Sequence, residues 1–111
     1  MAGNVNLVQM SATLIERTAL RYTPAGVPVV EVQLQHRSQA LEAGMPRELD
    51  FPFGAIALGE TAQQLAGVQL GGLLELSGFL APRSRRSARL MVHVTGFTRC
   101  SPPAAAAARD D

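Results

Sequence analysis

Four of the ten basic residues, Arg83, Arg85, Arg86 and Arg89, fall within seven consecutive positions that contain no acid. All ten are arginine. A guanidinium is a planar fork of donors that matches phosphate or carboxylate oxygens and also stacks on flat rings. The formal net charge is only +1, so the local density of arginine carries the information and the total does not. Two further arginines stand at informative places: Arg21 precedes Tyr22, the only tyrosine, and Arg37 lies near the end of an alternating run. Grasping an anionic polymer is one use of such a set; a solvated, solubilising loop tip is another. The remaining candidates are equally open. Arg37 has Glu31 and Glu48 as cross-sheet partners, Tyr22 suits a stacking platform or a cap on a core, and Arg47 reads as structural.

Reaction chemistry has little to work with. The two histidines, His36 and His93, belong to separate segments, and no Cys/His/Asp cluster has metal-ligand spacing. His36 shares the apolar side of its run, which favours a hydrogen-bonded core histidine over a ligand. Neither G-x-x-x-x-G-K-[ST] nor G-x-G-x-x-G occurs, and Gly71-Gly72 opens a strand pattern, not a helix. Ser11, Ser38 and Ser77 have no nucleophile context. Neither catalysis nor a cofactor is expected. Cys100 is single, which excludes an intramolecular disulfide and fits a reducing compartment. No apolar run reaches bilayer length, and no charged n-region precedes an apolar block at the N-terminus. The expected location is the cytoplasm, without a membrane anchor.

The segment that must position these arginines is Pro24 to Ser38, P-A-G-V-P-V-V-E-V-Q-L-Q-H-R-S. Pro24 and Gly26 supply turn chemistry, and a strict alternation follows Pro28. Val30, Val32, Leu34 and His36 point one way; Glu31, Gln33, Gln35 and Arg37 point the other. Such a strand has one face for a core and one for solvent or a ligand. Before it, Asn4 to about Leu20 reads as a long first strand with small residues Ser11-Ala12 at a bend, and Arg21 to Gly26 reads as a loop. After it, Gln39 to Pro46 reads as a polar connection. A third strand alternates through Leu49, Phe51 and Phe53, with Arg47 at its start; Pro52 implies an edge or a bulge. Gly59 to Ala66 is a short helix stopped by Gly67. A fourth strand follows Gly71-Gly72 and is broken by Gly78. Pro82 to Ala88 is the arginine loop, and Leu90 to Thr95 is a fifth strand with a bulge at Gly96.

The sum is an all-β chain: a five-stranded Greek-key barrel of the OB-fold type, with a short helix between strands 3 and 4. At 111 residues there is one domain, assigned to residues 1–100, while the Pro/Ala-rich stretch 101–111 reads as a disordered tail.

Several of these segments resemble one family. N-L-V at 6–8, P-A-G-V-P-V at 24–29, L-Q-H-R-S at 34–38, E-A-G at 42–44, G-G-L-L-E-L-S-G-F-L at 71–80 and M-V-H-V at 91–94 are similar to primosomal replication protein N, the PriB family. Single-stranded-DNA-binding protein is a more distant relative that shares the G-x-P-V turn. The resemblance implies a homodimer of OB-folds that binds single-stranded DNA and works in replication restart beside the helicase PriA and the loader DnaT. Strand one, apolar on both faces at Leu7, Val8 and Met10, is the expected dimer surface.

OB-folds carry single strands across their second and third strands, between the loops after strands one and four. The resemblance sets phosphate-contacting cations at Arg21, Arg37 and the last loop, with Arg where the family often has Lys. The nucleic-acid-binding residues expected are therefore Arg21, Tyr22, Arg37, Arg83, Arg85, Arg86 and Arg89. Asp50 falls where a relative carries an exposed aromatic residue, which implies weaker binding that leans on the arginine loop. Two other readings stay open: a protein–protein adaptor with incidental DNA contact, and an RNA-binding OB module.

Overall fold

In the computed structural model, which describes residues 3–100, the alternating run after Pro28 becomes the longest strand. The elements in chain order are β1 (Val8–Arg17), β2 (Arg21–Tyr22), β3 (Pro28–Glu42), β4 (Met45–Leu58), α1 (Glu60–Ala66), β5 (Leu73–Pro82) and β6 (Leu90–Arg99). Strand neighbours run β1-β5-β6-β4-β3, and β1 turns back to pair with β3, which closes a barrel of five strands. Among the described residues only β4 and β6 are parallel. This is the OB-fold expected from the strand spacing; β2 merely adds two rungs to β3 where a loop was expected.

Closure rests on β1 serving two partners. Val8 to Thr13 pair with β5 and Thr13 to Arg17 with β3, with a register shift between Leu14 and Glu16. The small Ser11-Ala12 pair precedes this corner, where a large side chain would obstruct the bend. Inside lie Leu14, Val30, Val32, Leu34, Leu74 and Val94, all buried, with Ala55 and Ala57 completing the β4 side. Helix α1 packs on β3, β4 and β6 through Ala62 and Leu65, both buried, and Gly67 ends it as anticipated. No polar or charged residue is buried among the described residues, so burial of aliphatic surface holds the fold together.

The segment Gln39 to Pro46 is not a loose connection. The β3–β4 ladder continues to the Glu42–Met45 pair, making a long two-stranded arm that leaves the barrel. Its two-residue turn has φ of 54° at Ala43 and 76° at Gly44, the pattern of a type I′ hairpin. Asn or Asp normally holds the first of these positions; alanine there hides the turn from a reading of the sequence. Pro52 sits where β4 has no neighbour on its second side, because β6 meets β4 only over Ala55 to Ala57, so the missing N–H breaks no ladder bond.

Strand β6 runs on to Arg99, past the expected end at Thr95, and the extra residue is Thr95 itself: Ser77 pairs with Gly96 and Gly78 with Val94. At Gly78 β5 and β6 approach closely. A Cβ there would lie 1.8 Å from the His93 carbonyl oxygen, a backbone atom that cannot swing aside. The stretch expected as a tail, 101–111, lies outside the described residues.

Two stability measurements check this account. Gly78→Ala should cost about 1–3 kcal/mol, read as a lower urea midpoint; an unchanged midpoint would refute the close approach. Ala43→Asn should raise stability by about 0.5–1 kcal/mol, since asparagine tolerates positive φ better than alanine does.

Candidate nucleic-acid interface

The pleat of β3 sends Glu31, Gln33, Gln35 and Arg37 to the outside of the barrel, opposite the buried valines. Strand pairing then builds rungs across this outer face. One rung runs Glu31, Ile56, His93, Phe79 over β3, β4, β6 and β5. The neighbouring rung sets Gln33 beside Gly54 and Ala81 beside Met91. Gly54 has no side chain of its own, and Met91 Cε and Gln33 Nε2 crowd the space a Cβ would take.

Beside these rungs lies a groove of about 630 Å³, walled by Arg17, Glu31, Gln33, Phe53, Arg83 and Arg89 among others. The β5–β6 loop brings two of the arginines to its wall. The Arg83 N–H donates to the Arg89 carbonyl (2.9 Å), and the Arg89 N–H donates to Ser87 Oγ (3.0 Å), so the loop base is pinched shut. Arg83 and Arg89 therefore stand together at the barrel, while Arg85 and Arg86 lie exposed in the turn. Glu31 sits between two cations: Arg21 Nη2 donates to its Oε2 at 2.9 Å, and Arg83 Nη1 is 3.5 Å from its Oε1. Arg85, Arg86 and Arg89 have no acidic partner among the described residues.

The other residues singled out in the sequence go elsewhere. Arg37 shares the outer face but sits on the arm, six residues beyond Glu31 and hence about 20 Å along the strand. Its partner is neither Glu31 nor Glu48; Arg37 Nε is 3.3 Å from Asp50 Oδ2, and Gln35 Nε2 donates to Asp50 Oδ1 at 2.6 Å. Tyr22 is 60% exposed, which rules out a core cap. It alternates to the side of β2 opposite Arg21 and does not line the groove. Arg47 hydrogen-bonds Glu42 next to the arm's turn. His36 is half-buried at the root of the arm with both ring nitrogens engaged. Nδ1 donates to the Ser11 carbonyl (2.7 Å), which leaves Nε2 to accept from Ser38 Oγ (2.8 Å). No group of three metal-ligating side chains comes together among the described residues, and no helix there is long and apolar enough to cross a membrane.

Four residues of this face escape a reading of the sequence. Arg17 looks like part of a strand and is one, yet it lines the groove while its guanidinium hydrogen-bonds the Val68 carbonyl. Met91 is buried and also reaches the groove wall, whereas the pair Phe79–His93 only looks like core. Phe79 and His93 in fact stack on the outer surface, ring centroids 5.0 Å apart and planes 14° from parallel, with Phe79 38% exposed. The pleat of each strand sets them on the outside, and the register of β5 on β6 sets them side by side. The alternation of Leu74 and Leu76 in β5, and of Val92 and Val94 in β6, was the available hint.

The chain can be set beside proteins already known. Residues 6–96 match a family model described as "Another single-strand binding protein family". Replication restart protein PriB of Bordetella pertussis is 40% identical over 90 residues, covering 81% of this chain and 84% of that protein. The protein of the same name in Nitrosomonas europaea is 41% identical over 91 residues, covering 82% and 84%. The solved structure of PriB from Ralstonia solanacearum matches with a TM-score of 0.80 at 38% identity, over 88% of this chain and 100% of that one. Wild-type single-stranded DNA binding protein from Thermus aquaticus matches with a TM-score of 0.72 over 90% of this chain and 52% of that one; at 22% identity this is a likeness of fold. With this identity over most of its length and the same closed barrel, the chain belongs to the replication restart protein PriB family.

Proposed function

We propose that this protein binds single-stranded DNA without sequence preference, as a homodimeric accessory of replication restart acting beside the helicase PriA and the loader DnaT. No catalytic step is part of this role. The observation that carries the reading is the convergence of Arg17, Arg83 and Arg89 on one outer groove, with Arg21 at its edge through Glu31. Guanidinium groups lining a groove suit the phosphates of a strand that has no second strand to shield it. The stacked Phe79–His93 pair on the adjoining rung offers a flat apolar surface to an unpaired base, as such sites require. Arg85 and Arg86, exposed in the turn of the same loop, extend the positive field outward. The names and fold of the relatives support the same reading.

The arm suits a different task. Its cations Arg37 and Arg47 are already paired with Asp50 and Glu42, and near its tip Leu41 and Met45 are exposed. Those features favour contact with another protein, so we assign the adaptor part of the role to the arm. For self-association, β1 remains the favoured surface: from Val8 to Ala12 it pairs with β5 alone, and Leu7 before it is exposed.

Anisotropy titrations with labelled oligo(dT) test the proposal. Three or four phosphate contacts predict that log K falls against log salt with a slope of about −2 to −3. Replacing Arg83 and Arg89 together by alanine should flatten that slope by about 1 to 1.5. Affinity indifferent to salt would contradict phosphate binding, and tighter binding of oligo(rU) than of oligo(dT) would favour RNA as the ligand. Phe79→Ala should weaken oligo(dT) binding by about 1–3 kcal/mol while leaving the salt slope intact. Unchanged affinity in that variant would remove Phe79 from the site.

A further inference from the structure

A carboxylate at the wall of a groove meant for phosphates is an apparent contradiction, and its geometry resolves it. Glu31 directs its two oxygens at two arginines from different parts of the chain: Oε2 to Arg21 on β2 at 2.9 Å, and Oε1 to Arg83 of the β5–β6 loop at 3.5 Å. Its backbone is fixed on both sides by Thr18. The Thr18 N–H donates to the Glu31 carbonyl (2.9 Å), and the Glu31 N–H donates to Thr18 Oγ (3.1 Å). The acid is thus anchored, with a side chain 24% exposed, whereas the Arg21 and Arg83 side chains are more open to solvent, at 52% and 49%. A phosphodiester likewise presents two anionic oxygens that arginines can share. Arg89, on the same groove, has no acid beside it among the described residues.

We propose that Glu31 is an internal stand-in for a DNA phosphate, clasping Arg21 and Arg83 until an incoming strand takes those arginines over. This rests on the groove being the single-strand site. Exposed ion pairs are worth little individually, so the exchange of carboxylate for phosphate is close to balanced and easily tipped. The clasp makes binding weaker than the count of arginines implies, because two of them must first leave an acid that then sits uncompensated near the bound strand. It also holds two separate elements, β2 and the arginine loop, in register across the groove while the site is empty. Glu31 therefore sets affinity without touching the ligand.

Glu31→Gln keeps the shape and removes the charge. It should bind oligo(dT) on the order of three- to tenfold more tightly, with a salt slope steeper by roughly 1. In a background where Arg21 and Arg83 are both alanine, the same change should give a much smaller gain, which separates release of those arginines from a general change in charge. Weaker or equal binding by Glu31→Gln in the native background would overturn the clasp, as would an undiminished gain in the double-alanine background. Titration with inorganic triphosphate by calorimetry runs the comparison without DNA. If wild-type protein and Glu31→Gln both ignore oligo(dT), the single-strand reading falls, and the clasp is then judged by whether Glu31→Gln alone gains affinity for triphosphate. Equal affinity for triphosphate would sink the clasp as well.

Discussion

The pleat of β3 is the constraint that the barrel and the groove share. Its period of two puts Val30, Val32 and Leu34 into the core and Glu31, Gln33 and Gln35 outside, so packing and surface chemistry are fixed by one phase. A slip of one residue would bury Glu31 and expose the valines, at a cost no surface interaction could offset. The core therefore dictates where the charged face lies. Because β3 also pairs with three other strands, the same phase propagates around the barrel.

On the far side of the barrel, the phase is altered once, and that alteration matters. The Thr95 bulge opposite Ser77 and Gly78 is possible because Gly78 leaves room for the His93 carbonyl. A bulge of this kind bends a strand and re-aims the side chains around it. Here it coincides with an aromatic pair, Phe79 and His93, turned outward on the rung that also carries Glu31. Farther along β5 on the same face, Arg83 begins the loop that Arg89 closes. Backbone close packing at one glycine and the positions of a ring pair and two cations are thus linked through a single ladder.

Charge on this surface is compensated in part. Arg21, Arg37, Arg47 and Arg83 have carboxylate partners, whereas Arg85, Arg86 and Arg89 have none among the described residues. Paired surface ions contribute little to stability, so the acids are better understood as setting how readily each arginine is released. The arm and the groove differ in this respect. On the arm, Asp50 and Glu42 hold arginines from neighbouring positions of one hairpin; in the groove, Glu31 joins arginines from separate elements.

By itself the sequence determined the barrel. Strict alternation after Pro28, the glycine and proline turns and the short helix between Gly59 and Gly67 are local signals, each read within a few residues. The break expected at Gly78 does not occur: β5 runs through it from Leu73 to Pro82, because the extra residue that relieves the close approach lies on β6. The density of arginine in 83–89 was equally visible, as were the segments that resemble the PriB family. The arm was missed because Ala43 occupies a positive-φ position that alanine does not advertise. What the tertiary structure alone decided was company: that Arg83 meets Glu31 and Arg21, that Arg37 meets Asp50, that Tyr22 turns away, and that Phe79 lies against His93 in the open. Such neighbours come from strands distant in the chain, and their meeting depends on cross-strand register and one bulge. Register is set by the summed packing of the whole core, a quantity no short stretch of residues contains.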